Sequence, residues 1–181
     1  NKEVYVRIPN LEIRKCFKND IQKRFSSVFI KHNLHNKLVD ALSCGNQKET
    51  YDIFFDMIQK YVSIRDTATK APLENYYHGF INGIFTSCEK LISEYHSNYE
   101  TGNGYPDILF KDIDCRKVAI IEIKSASIGS DIETLSEKAI SQIIDKNYAE
   151  PLMSNKTVKH IHGYGIAFAG KSCFISVKKI K

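Results

Sequence analysis

Residues 105–124 read YPDILFKDIDCRKVAIIEIK. Two apolar, β-branched segments, 106–111 and 118–124, flank a polar turn around residues 112–116, and that pattern predicts a β-hairpin. A loop over residues 112–117 sets 111 against 118, 109 against 120, and 107 against 122. Asp107 then faces Glu122. Opposed side chains on one face have Cβ atoms about 5 Å apart, and Lys124, two residues past Glu122, shares that face. A register shifted by two sets Asp107 opposite Lys124 instead and still keeps all three together. Ile108, Phe110, Ala119, Ile121 and Ile123 fall on the other face. The run Val118-Ala119-Ile120-Ile121 is apolar without alternation, as in a strand covered on both sides.

Working outward, Pro72 suits the first turn of a helix whose apolar stripe runs through Leu73, Tyr76, Tyr77, Phe80, Ile81, Ile84, Cys88 and Leu91. Residues 95–100 form a strand, and Thr101-Gly102-Asn103-Gly104 turns the chain into the hairpin. Beyond it, Ser130 with Glu133 makes a capping-box start for a helix that buries Ile132, Leu135, Ala139, Ile140 and Ile143. Strands 163–169 and 173–177 flank a turn at Gly170-Lys171. From residue 72 the order is helix, three strands, helix, two strands, an α/β arrangement. Ahead of it, a strand at 4–8 leads to a helix started by Pro9-Asn10 with Phe17, Ile21 and Phe25 on one face. A short helix at 36–43 stops at Gly45, and a helix at 51–62 buries Phe54, Met57, Ile58 and Tyr61. The division is thus a mostly helical N-terminal extension, 1–70, packed on a core, 71–181.

The 181 residues are 43% hydrophobic and 26% charged, and no apolar run approaches the roughly 18 residues of a membrane helix. A soluble globular protein with no membrane partner is expected. The chain starts at Asn1 with no charged-then-apolar segment ahead of the strand at 4–8, as in a piece of something longer. Cys16, Cys44, Cys88, Cys115 and Cys173 are odd in number and include no CxxC pair, which fits free thiols in the cytoplasm. The net charge of +5 is compatible with a polyanionic partner, because phosphate-neutralising lysines and arginines release condensed counterions.

Two facing carboxylates repel unless a cation lies between them or one is protonated. A hard divalent ion such as Mg²⁺ resolves this, since it takes few protein carboxylates, keeps several waters and accepts phosphate oxygens. It polarises phosphate and activates water, while Lys124 orients that water or stabilises developing negative charge. Together these are the parts of a phosphodiester hydrolase. The plainer alternative is an ordinary Glu122–Lys124 ion pair with Asp107 as a turn residue. Gln142, seven residues after Leu135, is only about 20° around its helix from a sheet-facing position and within reach of the site.

Tyr105-Pro106-Asp107 followed by Glu122-Ile123-Lys124 resembles the PD-(D/E)XK signature, set in the helix, three-strand, helix, strand order of that nuclease superfamily. More narrowly, the chain resembles the nuclease-like domain that follows an AAA-type ATPase-like domain in many bacterial proteins. That resemblance runs through Arg7-Ile8-Pro9-Asn10, Tyr77-His78-Gly79-Phe80, the turn from Glu100 to Asp107, Ile121-Glu122-Ile123-Lys124, residues 142–148 and Gly165-Ile166-Ala167-Phe168. It implies a restriction-endonuclease-like core with a mixed sheet flanked by helices, and a Mg²⁺- or Mn²⁺-dependent nuclease acting on nucleic acid, DNA above all, beside an ATPase-like domain of the same full-length chain. Asp107 and Glu122 would be metal ligands with the carbonyl of Ile123, and Lys124 the catalytic lysine. Glu74 resembles the extra glutamate that some members add as a ligand, and related nucleases often carry a glutamine where Gln142 stands. Glu100, before the glycine turn, is a further supporting candidate. His78 reads as a packed or water-bonded histidine, and His160 and His162 as surface residues. The rival function is a non-catalytic module of the same fold that binds nucleic acid or protein.

Residues 165–172, GIAFAGKS, formally match the phosphate-binding pattern GxxxxGK(S/T). That loop must turn from a strand into a helix so that its amides wrap phosphate. Here an apolar strand runs up to Gly170 and another follows Lys171, so the pattern predicts a hairpin.

Overall fold

The computed structural model describes residues 34–62, 73–86, 88 and 90–181. In chain order these form α1 (Leu34–Cys44), α2 (Gln47–Tyr61), α3 (Leu73–Phe85), β1 (Ile92–Ser97), β2 (Ile108–Asp112), β3 (Lys117–Ser125), α4 (Ile132–Asp145), α5 (Glu150–Met153), β4 (His160–Ala169) and β5 (Ser172–Lys179). The strands make one sheet in the order β1-β2-β3-β4-β5. All neighbours are antiparallel except β3 and β4. Parallel neighbours need a long crossover, and α4 supplies it. This mixed sheet with flanking helices is the restriction-endonuclease-like α/β architecture.

The β2–β3 register is the first of the two expected, with Lys111 opposite Val118, Leu109 opposite Ile120 and Ile108 opposite Ile121. Extended by one residue, it brings Asp107 beside Glu122. Both sheet faces are covered. On one, Ile108, Phe110, Ala119, Ile121, Ile123 and Tyr164 join Leu38, Phe54, Tyr77 and Ile81 from α1, α2 and α3 in a single core. On the other, Leu109, Val118, Ile120 and Ile161 pack with Ile143 of α4 and with Tyr148. Each such Leu, Ile, Val or Phe side chain contributes roughly 1.5–3 kcal/mol by leaving water. The close seat of α4 depends on Gly165, where a Cβ would lie 2.0 Å from the carbonyl oxygen of Ser136.

Several boundaries differ from expectation. The apolar stripe beginning at Leu73 extends past its helix: α3 ends at Phe85, where the N–H of Cys88 bonds to the Phe85 carbonyl and that of Leu91 to the Cys88 carbonyl. Cys88 is nonetheless buried, so burial continued where helical geometry did not. β1 begins earlier than 95 and ends at Ser97, because Asn98 adopts φ +52°, a left-handed conformation that asparagine tolerates better than most residues. α4 is capped by Asp131, whose carboxylate accepts from the N–H of Thr134, and not by Ser130. Within α4, Ala139 and Ile143 are buried, whereas Ile132, Leu135 and Ile140 are half-buried. α2 starts at Gln47, and Tyr61, expected inside, is 38% exposed. The short α5 was not anticipated. The expected strand at 4–8, the helix carrying Phe17, Ile21 and Phe25, the Arg7-Ile8-Pro9-Asn10 motif and Pro72 lie outside the described residues.

Candidate active site

Glu122 and Lys124 project from one face of β3, as period-two alternation requires. Lys124 Nζ donates to Glu122 Oε1 across 2.8 Å. Gln142, on the flank of α4, donates its Nε2 to the same oxygen. Glu122 is only 3% exposed, and its Oε2 is buried with no hydrogen-bond partner. Asp107 stands one residue before β2, and its Oδ2 accepts a 2.6 Å hydrogen bond from the N–H of Ile123. On an extended strand the N–H and C=O of one residue point to the same side, so the Ile123 carbonyl is also directed toward the Asp107 edge of β3.

The electrostatics follow from burial. Removal from water pushes the Glu122 carboxyl up to about 7, the charge of Asp107 adds to the rise, and Lys124 only partly opposes it. Asp107 is raised as well, first by burial, against the lowering effects of the Ile123 N–H, His78 and Lys124. For Lys124, burial acts to lower the ammonium pKa, but the hydrogen bond and charge of Glu122, with Glu74 and Asp107, outweigh it and the net shift is upward. Lys124 is therefore a fixed cation in a site with more carboxylates than it can neutralise.

Glu74 lies in the first turn of α3 and acts electrostatically on both Glu122 and Lys124, so the fold brings it to the same end of the sheet. Glu100 is exposed, and among the described residues it makes no hydrogen bond or ion pair with the other candidates. Two residues that had no assigned role touch the site. His78 Nε2 lies 3.1 Å from the Asp107 carbonyl and 3.1 Å from Ser97 Oγ. A carbonyl only accepts, so the contact with Asp107 is a hydrogen bond in the tautomer that carries the proton on Nε2, while Asn82 Nδ2, 3.3 Å from the same atom, would donate to the other tautomer. The Tyr148 hydroxyl lies 3.3 Å from Gln142 Nε2 and donates to the carbonyl of Tyr105. Both residues sit in blocks that carried the family resemblance, which was the available signal. Each meets the site at a backbone carbonyl, His78 at Asp107 and Tyr148 at Tyr105, which is why spacing of residue types alone gave them no role.

Among the described residues no three His, Cys, Asp or Glu side chains converge on one point to hold a metal. An ion would instead rely on two carboxylates with a backbone carbonyl, water and substrate oxygens, a donor set suited to Mg²⁺. The unpartnered buried Glu122 Oε2 beside the half-buried carboxylate of Asp107 fits such an ion, since two neighbouring carboxylates share the single ammonium of Lys124.

The remaining histidines divide. His160 is exposed as expected, but His162 is 8% exposed, because β4 is an interior strand and His162 packs under Gly45 at the end of α1. Burial lowers its pKa. The Gly165-to-Ser172 segment is the end of β4, a turn and the start of β5, with Gly170 at φ +59° and its carbonyl accepting from the Tyr77 hydroxyl. No helix follows, so the segment cannot cradle phosphate in the manner of a P-loop. A cavity of about 510 Å³ lined by Asp40, Asp112, Asp114 and Lys117 lies at the turn end of the β2–β3 hairpin, opposite the carboxylates.

A family model described as the PD-(D/E)XK nuclease superfamily matches residues 73–178, a span holding every site candidate above. No curated protein matches the chain.

Proposed function

Because the chain belongs to the PD-(D/E)XK nuclease superfamily, we propose that it is a divalent-metal-dependent nuclease that hydrolyses phosphodiester bonds of nucleic acid, with DNA the favoured substrate. The observation that carries this reading is the buried Glu122 Oε2, left without a partner beside Asp107. Asp107, Glu122 and the Ile123 carbonyl would hold Mg²⁺ or Mn²⁺, with Glu74 as a further candidate ligand. The ion would supply Lewis acidity toward phosphate and toward an attacking water. Lys124, kept charged by its neighbours, stabilises negative charge developing on the phosphate or orients the water. Gln142 holds Glu122 Oε1 toward α4, so that Oε2 stays available. Glu100 has the weakest support, being exposed and unconnected to the others.

The four described cysteines, Cys44, Cys88, Cys115 and Cys173, form no disulfide with one another, in keeping with a cytoplasmic setting. The ATPase-like domain on the same full-length chain remains part of the proposal and rests on the sequence resemblance. One observation favours the rival reading of a non-catalytic binding module: Lys124 and Glu122 form a 2.8 Å ion pair, as an ordinary structural pair would. Incubating the protein with single- and double-stranded DNA and RNA, in Mg²⁺, in Mn²⁺ and in chelator, decides between them. Cleavage that requires metal is expected; no cleavage of any substrate would leave only the binding module.

A further inference from the structure

The loop between β1 and β2, which leads into Asp107, carries two exposed aromatic rings. Tyr99 is 50% exposed and Tyr105 56% exposed. Tyr99 follows Asn98, whose N–H bonds to the Asp107 carbonyl across 3.0 Å, and Tyr105 precedes Asp107 by two residues. Tyr99 is already stacked on His96, with ring centroids 4.3 Å apart and planes 28° apart. His96 pairs with Leu109, which places it on the sheet face that bears Glu122.

The loop bearing these rings is tied down along its length. Thr101 and Gly104 exchange backbone hydrogen bonds, Asn103 donates its N–H to the Lys146 carbonyl, and Thr101 Oγ1 donates to the Tyr148 carbonyl. The Tyr148 hydroxyl then holds the Tyr105 carbonyl. Gly102 permits this closeness, since it adopts φ +57° and a Cβ there would lie 2.3 Å from the Asn147 carbonyl oxygen. Two large rings are thus held in water on a fixed backbone, so a ligand that covers them loses little conformational freedom.

We propose that Tyr99 and Tyr105 form a stacking platform for unpaired nucleobases, making single-stranded nucleic acid the substrate class of this site. Every base has a π-face, but in a duplex that face is covered by its neighbours, so exposed aromatics select strands whose bases are free. The net charge of +5 suits the accompanying phosphates. The inference rests on the nuclease reading and narrows it.

The test is fluorescence anisotropy with a fluorescein-labelled single strand and a hairpin duplex of the same composition. Chelator prevents cutting, and both ligands meet the same carboxylate repulsion. The single strand should bind at least about tenfold more tightly than the duplex, and Tyr99→Leu with Tyr105→Leu should weaken it about tenfold or more. Tyr→Phe at both positions should restore binding. The Leu variant should keep the wild-type melting temperature and its rise with Mn²⁺, which separates lost stacking from lost folding. Equal binding of both ligands, or a Leu variant that holds the single strand like wild type, overturns the platform. If metal-dependent cleavage persists in that case, the nuclease reading survives; if neither ligand binds or is cut, both fall.

Discussion

Gln142 reaches from α4 to Oε1 of Glu122, the same oxygen that receives the Lys124 ammonium. Two donors on one oxygen leave the other buried and bare. Burial disfavours the ionised carboxylate and the nearby charge of Asp107 adds to that, so its pKa rises from 4.5 to about 7 although Lys124 opposes the shift.

The first prediction follows from the sign of that shift. A folded-state pKa above the unfolded value means that the folded protein binds the extra proton. Its contribution to stability is complete below pH about 4.5 and is lost as pH rises through about 7. In chelator the melting temperature should fall across that window, by an amount reflecting a few kcal/mol at about 1.4 kcal/mol per pH unit. Glu122→Gln should flatten the profile, and Mg²⁺ should stabilise the wild type increasingly over the same interval. Melts that rise through this window in chelator would show that Glu122 is not the titrating group.

Lys124→Ala should reduce cleavage by about 10²- to 10³-fold, the usual cost of losing a group that stabilises transition-state charge. Metal binding should survive, because the lysine is not a ligand. Comparing turnover with the metal-induced rise in melting temperature separates the two effects, and wild-type turnover would end the assignment.

The hairpin was legible because only one short polar segment separates its strands, so either register the turn allowed put Asp107, Glu122 and Lys124 on one face; the structure takes the one that sets Asp107 beside Glu122. Gln142 was legible for a similar reason, since helical periodicity turns it toward the sheet. Helix ends were less so: Cys88 and Leu91 continue the apolar stripe of α3 in sequence, yet Cys88 is buried and Leu91 half-buried from beyond the helix end. Hydrophobic spacing records burial and not the conformation that achieves it. His162 was misread because its alternation with His160 is the same on an edge strand and an interior one, and only the sheet order, with β4 between β3 and β5, places it inside. His78 acts on the backbone of Asp107, a relation that residue types do not encode.

That relation gives a third prediction. The ring of His78 holds the Asp107 carbonyl where the chain enters β2, so His78→Ala should loosen the carboxylate without removing it. Turnover should drop about tenfold, as expected when a group that positions a metal ligand is lost, and more Mn²⁺ should be needed for half-maximal rate. His78→Gln, which can still donate, should recover part of both. A variant with an unchanged metal requirement would reduce His78 to packing.

Lys171 occupies a hairpin turn, and its Nζ donates to the Gln59 carbonyl. Lys171→Ala should therefore leave nuclease activity unchanged, and calorimetry should detect no ATP binding by the wild type. Micromolar binding lost in the variant would reinstate a phosphate loop.

The last prediction concerns Asp107. Its charge raises the pKa of Glu122, and Lys124 offsets only part of the repulsion, so the metal-free protein carries a penalty of roughly 1 kcal/mol. Asp107→Asn removes the charge but keeps an oxygen that can accept the Ile123 N–H, so the 2.6 Å hydrogen bond has a replacement. The variant should melt higher than wild type in chelator. It should also lose most of the stabilisation that millimolar Mg²⁺ or Mn²⁺ gives by binding only the folded state. A turn residue or a plain ion-pair partner behaves oppositely, losing stability on substitution with no link to metal. The two accounts therefore differ in sign in chelator and in slope across a metal series. An Asn variant that melts lower than wild type in chelator and gains as much from metal would remove Asp107 from the site, because its carboxylate would then be stabilising the fold without holding an ion.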